Sequence, residues 1–298
     1  MNELSIPAVR SRLATLDTIP CVPAILIPVL RQLSEPPESI DLQRVIELVA
    51  HDKALTAQTL RMANSPLFGT NGQVDSVRAA VLTLGLERMR AIATTCCVLR
   101  LAPSQSAHLD PRIFWEHSLG CALVARQLAR RIGYADPEKA YLAGLLHDIG
   151  FIVNMMFFPE QFRQTLQRAT REKVALGVLE QKIFGFDHCG VGELLAGRWL
   201  LGGDLQEVIR HHHMSDHAII DRALVGIVAI SDLLCRTSGL GYGYDEILHL
   251  DLKTDPSVKT VAGEFPRFSD LDWARFLTEL QAYVKQVRDL VSVLYRTH

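Results

Sequence analysis

His147 and Asp148 stand side by side in YLAGLLHDIGFI (residues 141–152), at the end of an apolar run. His117 lies in FWEHSLGCALVARQL, His188 follows Asp187, His211-His212-His213 closes LQEVIRHHH, and Asp232 sits inside LVGIVAISDLL. Neutral imidazoles and carboxylates are the donors that suit divalent iron, manganese, nickel or zinc. Holding such ions is therefore the chemistry these residues could do together. Taken singly, a histidine on an apolar helix is more simply a hydrogen-bonded core or surface residue, and His51, His108, His217, His249 and His298 keep that reading. The triple histidine could equally be a solvated helix end, where a protonated ring meets the negative end of the dipole. Asp232 resists dismissal, because an unpaired carboxylate amid Ile, Val and Leu is costly to bury.

To act together these side chains must be brought in from separate helices. Apolar residues recur at three- and four-residue intervals almost throughout, and alternation typical of strands is nearly absent. The pattern predicts helices over about 111–132, 137–149, 159–172, 174–183, 188–201, 204–213 and 219–237. An all-α bundle can converge ligands from facing helices without loops. Adjacent helical residues point about 100° apart, so His147 and Asp148, or His212 and His213, would flank one ion or serve two.

Upstream, Ser39 is expected to cap a helix bearing Leu42, Val45, Ile46 and Val49, and Asn64-Ser65-Pro66 to stop a second. SVRAAVLTLGLERMRAIATTCCVL reads as two apolar helices hinged at Gly85. LAPSQSAHLDP is a plausible boundary, which divides the chain into an N-terminal helical lobe (1–104), a helical core (105–237) and a remainder (238–298). Within the remainder, 238–268 reads as an irregular connection and the last helix starts at Ser269-Asp270. That helix carries Leu277, Leu280, Val284, Val287, Val291 and Leu294 in a stripe that could form a homodimer seam; packing on the chain's own body is favoured, three heptads making a weak coiled coil.

The 298 residues are 48% hydrophobic with a net charge of −2. A real core is affordable, and the global basic field that draws proteins to nucleic acid or anionic lipid is absent. Cys21, Cys96, Cys97, Cys121, Cys189 and Cys235 show no C-x-x-C pair and sit mostly among apolar neighbours, as reduced cytoplasmic thiols do. No signal peptide or bilayer-spanning run is expected.

The order His117, His147-Asp148, His188, His212-His213, Asp232 resembles the ligand order of the HD superfamily of metal-dependent phosphohydrolases, including its binuclear HD-GYP branch. IPCVPAILIPVLRQLS, DKALTAQTLRMANSPLFG and SVRAAVLTLGLERMRAIA resemble the N-terminal signature of HDOD domains, HD-related output domains of bacterial signalling proteins. The two resemblances cover about residues 17–236. They imply an HD-like all-α fold, a regulatory role with signalling protein partners, and a site holding one or two divalent ions (Fe, Mn, Ni or Zn). Its ligands would be His117, His147, Asp148, His188, His212, His213 and Asp232, with Asp148 as the candidate bridge.

Activity is a separate matter. Phe151 stands where HD-GYP enzymes tend to carry a lysine for substrate phosphate, Ile113 stands in the turn where an additional Glu ligand can occur, and no Gly-Tyr-Pro motif follows His213. A hydrolase would use Asp148 catalytically and needs a cation beside the metal; Arg126 and Arg210, on ligand-bearing helices, are the candidates. A helix-turn-helix reading of VRAAVLTLGLERMRAIA, with Arg88 and Arg90 on a recognition helix, is allowed by spacing. The apolar composition of that helix and the slightly acidic chain argue against it.

Overall fold

A computed structural model describes residues 41–68, 74–99, 110–242 and 254–295, with the single positions 28 and 39. Asp41 accepts from Arg44 N and opens α1 (Leu42–His51), so the cap is Asp41 rather than Ser39. Asp52 accepts from Ala54 N and Leu55 N to open α2 (Lys53–Ala63), which ends at Asn64 as expected. Ser76 caps α3 (Val77–Leu84), and Gly85 at φ 81°, a conformation that favours glycine, turns the chain into α4 (Leu86–Leu99). Met89, Ile92, Ala93 and Cys96 of α4 are buried, and Arg88 donates to the Phe68 carbonyl. Little of the described surface of α4 is left to face a DNA groove. The Arg90 side chain, Cys21, His108, His249, His298, most of the first signature segment and the 100–109 boundary lie outside the described residues.

The second lobe is built on α5 (Pro111–Ile132), started by Asp110 and Pro111 and ended by Gly133 at φ 85°. Against it lie α6 (Pro137–Leu146) and, further along the chain, α12 (Arg222–Thr237). Gly144 makes the first contact possible: a Cβ there would come within 2.8 Å of the Cys121 carbonyl oxygen. Between α6 and α12 run α7 (Gly150–Phe157), α8 (Pro159–Glu172), α9 (Leu176–Phe184), α10 (His188–Arg198) and α11 (Gly203–His211). No strand occurs among the described residues. The segment after α12 contains an unforeseen helix, α13 (Pro256–Glu264), opened by Asp255 and Pro256 and packed on α12. The last helix, α14 (Trp273–Tyr295), lies on α5.

One further expectation needs correction. The helix written over 137–149 ends at Leu146. Hydrogen bonds from Ile149 N to Leu146 O, Phe151 N to Asp148 O and Ile152 N to Ile149 O form tight i to i+3 turns, which place His147 and Asp148 in a break between α6 and α7. Residues 137–157 do have the length and hydropathy of a membrane span (21 residues, mean hydropathy 1.4), but 89% of the apolar window is buried within the protein. In the stripe of α14, Leu280, Val284, Val287, Val291 and Leu294 are buried within their own chain, while Leu277 is exposed. Five of the six stripe residues thus pack on the chain's own body, the arrangement favoured from the sequence.

The lobes share one hydrophobic core. At their junction Thr95 Oγ1 and Tyr141 OH are 2.7 Å apart, and the Arg126 guanidinium sits over the rings of Phe68 and Tyr141.

Candidate metal centre

Each candidate ligand sits where a helix begins, ends or faces inward. His117 is on the buried side of α5. His147 is the C-terminal cap of α6, with Asp148 next in the break. Asp187 caps α10 by accepting from Gly190 N, which fixes His188 as the first helical residue; His212 caps the end of α11, followed by His213. Asp232 lies in the middle of α12. All but His213 are at most 3% exposed, and the His213 side chain keeps 36% exposure.

Asp148 is the centre. Its Oδ2 lies 3.1 Å from His147 Nε2 and 3.6 Å from His117 Nε2; its Oδ1 lies 3.4 Å from His188 Nε2 and 3.3 Å from His212 Nε2. Around Oδ2, His117 Nε2 is also 3.2 Å from Asp232 Oδ1 and 3.3 Å from His147 Nε2. Around Oδ1, His213 Nε2 is 3.2 Å from His188 Nε2. The structure thus brings all seven predicted residues together, in two groups that meet at one carboxylate.

The orientation of the rings shows what the cluster suits. His117 Nδ1 donates to Leu240 O (2.6 Å), His147 Nδ1 to Gly144 O (2.8 Å), His188 Nδ1 to Glu180 Oε2 (2.6 Å), and His212 Nδ1 to Val208 O and Ile209 O (3.1 Å each). With Nδ1 holding the hydrogen, a neutral ring turns the Nε2 lone pair inward, the arrangement seen in metal-ligating histidines. Asp148 Oδ1 is buried and accepts no well-formed hydrogen bond, an orphan that a cation would satisfy. Inward lone pairs and an orphaned carboxylate oxygen fit a divalent ion.

Electrostatics agree. Burial opposes ionisation of Asp148, but His147, His212 and His188 outweigh it and hold the carboxyl well below its usual range. Burial likewise opposes the Asp232 carboxylate, which Arg236, 3.3 Å away, and His117 hold ionised. Burial would lower His212, yet Cys189 and Asp148 push it up to about 10. In this structure, protons on the imidazoles supply the positive charge that faces the two carboxylates.

Several contributors carried no sequence signal beyond their type. Glu180, fully buried on α9, accepts from both His188 Nδ1 and His188 N and from Asn154 Nδ2 (2.9 Å), so it orients the imidazole as second-layer carboxylates do. An acidic residue beside Leu179 in an apolar helix was the available clue. Tyr242 OH donates to Asp148 Oδ2 (2.5 Å), and its ring lies against His117 and Phe151. Phe151, on the residue where a lysine was sought, stacks on His188 with ring centres 4.4 Å apart. Two aromatic rings therefore roof the cluster. Cys121 and Cys189, expected as reduced thiols among apolar neighbours, lie within it.

The proposed substrate cations are elsewhere. Arg126 follows His117 by nine residues, about 14 Å along a helix, and pairs with Glu138 (3.6 Å) at the lobe junction. Arg210 pairs with Asp187 (3.3 Å) and Glu193 (3.5 Å). Among the described residues, the cation beside the cluster is Arg236, 3.3 Å from Asp232 Oδ2.

A family model described as the HDOD domain matches residues 19–215. The chain belongs to the HDOD family. Its HDOD fold is shared along nearly the whole length with an HDOD domain protein of unknown function from Geobacter sulfurreducens, at 30% identity, TM-score 0.82 and 97% coverage of both chains. A candidate phosphohydrolase from Shewanella amazonensis SB2B matches at 21% identity and TM-score 0.73, covering 96% of this chain and 97% of its own. An uncharacterized protein of Treponema pallidum (strain Nichols) is 26% identical over 223 residues, which are 74% of this HDOD chain and 43% of that relative. The chain thus spans less than half the length of this curated relative. The matched HDOD span ends before Asp232, Arg236 and Tyr242, all of which reach the cluster.

Proposed function

We propose that this HDOD protein is a bacterial cytoplasmic signalling output domain that binds protein partners through its helical lobe and holds one or two divalent transition-metal ions in its HD-like core. The observation that carries the metal is the convergence of four Nε2 atoms on Asp148, each ring anchored through Nδ1. His117, His147 and Asp232 would hold one position, His188, His212 and His213 the other, and Asp148 both. When bound, such an ion cross-links helices and supplies a Lewis acid. The protein's own groups tie α5, α6, α10, α11 and α12 to one point.

Elemental analysis after reconstitution tests the reading: iron, manganese, nickel or zinc should be retained stoichiometrically. His147→Ala and Asp148→Ala should each lower metal content and melting temperature together. Protein that retains no metal sinks it. The alternative, metal-dependent phosphohydrolase, draws on the exposed edge of His213 and the adjacent Arg236. The aromatic roof and the engagement of Arg126 and Arg210 with carboxylates weigh against it. Turnover of phosphodiesters, cyclic dinucleotides or nucleotides by metal-loaded protein, abolished in Asp148→Ala, would establish it instead.

A further inference from the structure

We infer that Cys189 is itself a metal ligand, which makes the position around Asp148 Oδ1 a mixed nitrogen, oxygen and sulfur site. The inference rests on the metal reading above and goes beyond its histidine and aspartate donors. Donor atoms of His188, Cys189, His212 and His213 all lie within 4.8 Å of one another. Cys189 Sγ is 3.9 Å from His212 Nε2, and the same nitrogen is 3.3 Å from Asp148 Oδ1. Ligand bonds of roughly 2.0–2.3 Å, the zinc values, span tetrahedral edges of about 3.3–3.8 Å. The 3.2 Å between His188 and His213 and the 3.9 Å to the sulfur are close to that range.

The second, independent observation is the buried Asp148 Oδ1, which accepts no well-formed hydrogen bond and faces the same group. The thiol is only 5% exposed and not disulfide-bonded. It is placed by the same Asp187 cap that sets His188, so the two side chains arrive at the cluster as neighbours on the first turn of α10. The other cysteine of the cluster belongs to the other group. Cys121 lies one turn beyond His117 on α5, 3.4 Å from His117 Nε2, in the group around Asp148 Oδ2. It serves as the internal control.

A thiolate shifts selectivity away from hard, oxygen-seeking ions and toward zinc and cobalt(II). The test uses full-length protein stripped by chelator and titrated with Co²⁺. Wild type should show visible d–d bands together with a near-ultraviolet thiolate-to-cobalt charge-transfer band. Cys189→Ser should lose the charge-transfer band, keep d–d absorption and bind Co²⁺ at least about tenfold more weakly, the smallest loss usual even for outer-layer partners. Cys121→Ser should retain the band. Cobalt-edge X-ray absorption on wild type provides a measurement independent of any variant's folding, and should find a sulfur neighbour. Co²⁺ bound with d–d bands but no sulfur signature, or a band that persists in Cys189→Ser or vanishes in Cys121→Ser, overturns the cysteine while leaving the metal. Absence of all Co²⁺ binding overturns both.

Discussion

At the scale of single residues, the cluster is governed by which atom carries each proton. His212 in the metal-free protein is raised from about 6.5 to about 10, burial opposing and Cys189 and Asp148 prevailing. A raised value means the imidazolium stabilises the fold fully below about pH 6.5 and that stability is lost as pH climbs through about 10. Metal needs the neutral ring, so the two states should respond oppositely. Between pH 6 and 9 the stripped protein should lose melting temperature while apparent metal affinity rises, and titration in weak buffer should show proton release. Affinity that is flat across this range would contradict the proton-for-metal exchange. Glu180 sets a second expectation. Glu180→Gln keeps the shape but removes the charge that holds the His188 Nδ1 hydrogen, and should weaken metal binding by about ten- to a hundredfold with little change in helix content. Equilibrium dialysis against a chelator, with circular dichroism alongside, measures both.

At the scale of elements, a close backbone approach positions His188. α7 meets α10 at Gly150, where an added Cβ would lie 2.0 Å from the His188 carbonyl oxygen. Backbone cannot yield as a side chain tip can. Gly150→Ala should therefore cost about 1–3 kcal/mol and, because it displaces the residue that carries His188, lower metal content as well; denaturant titration and elemental analysis check the pair. The candidate ligands were legible in the sequence because His147, Asp148 and Asp232 interrupt runs that otherwise ask for burial. The break between α6 and α7 was not. GFIVNMMF is apolar but for Asn154, so it has no amphipathic period to mark it as a separate helix, and no proline or buried-strand signal announces the turn before it. α13 was overlooked for the opposite reason: Asp255-Pro256, a standard helix start, was absorbed into a loop by the Gly and Asp around it. Glu180, Cys189 and Tyr242 became visible as parts of the site only when separate elements met.

At the scale of the molecule, the cluster is connected to the C-terminal helix by a short chain of contacts. Arg288 on α14 donates to Gly239 O (2.6 Å) and approaches Glu116 of α5 (3.6 Å). Gly239, at φ 85°, precedes Leu240, whose carbonyl holds His117, and two residues later Tyr242 reaches Asp148. Gln127 donates to Tyr283 OH (2.5 Å), and Arg131 pairs with Glu279, so α14 is fastened to α5 by polar contacts as well as by its buried stripe. A signal that shifted α14 would thus move two groups that hold the centre, the Leu240 carbonyl and the Tyr242 hydroxyl. Arg288→Ala removes the link at a half-exposed residue without opening the core. Couplings carried through such contacts are about 0.5–2 kcal/mol, roughly two- to thirtyfold in affinity. Metal affinity should fall by an amount in that range while the melting temperature of the stripped protein changes little. By linkage, metal must in turn stabilise the seat of α14, and hydrogen exchange should show slower exchange across 239–242 and 280–291 in loaded wild type than in stripped protein. In Arg288→Ala the protection at 280–291 should no longer depend on metal. Equal metal dependence in both proteins would mean that α14 is seated by its apolar stripe alone and that the centre does not communicate with it.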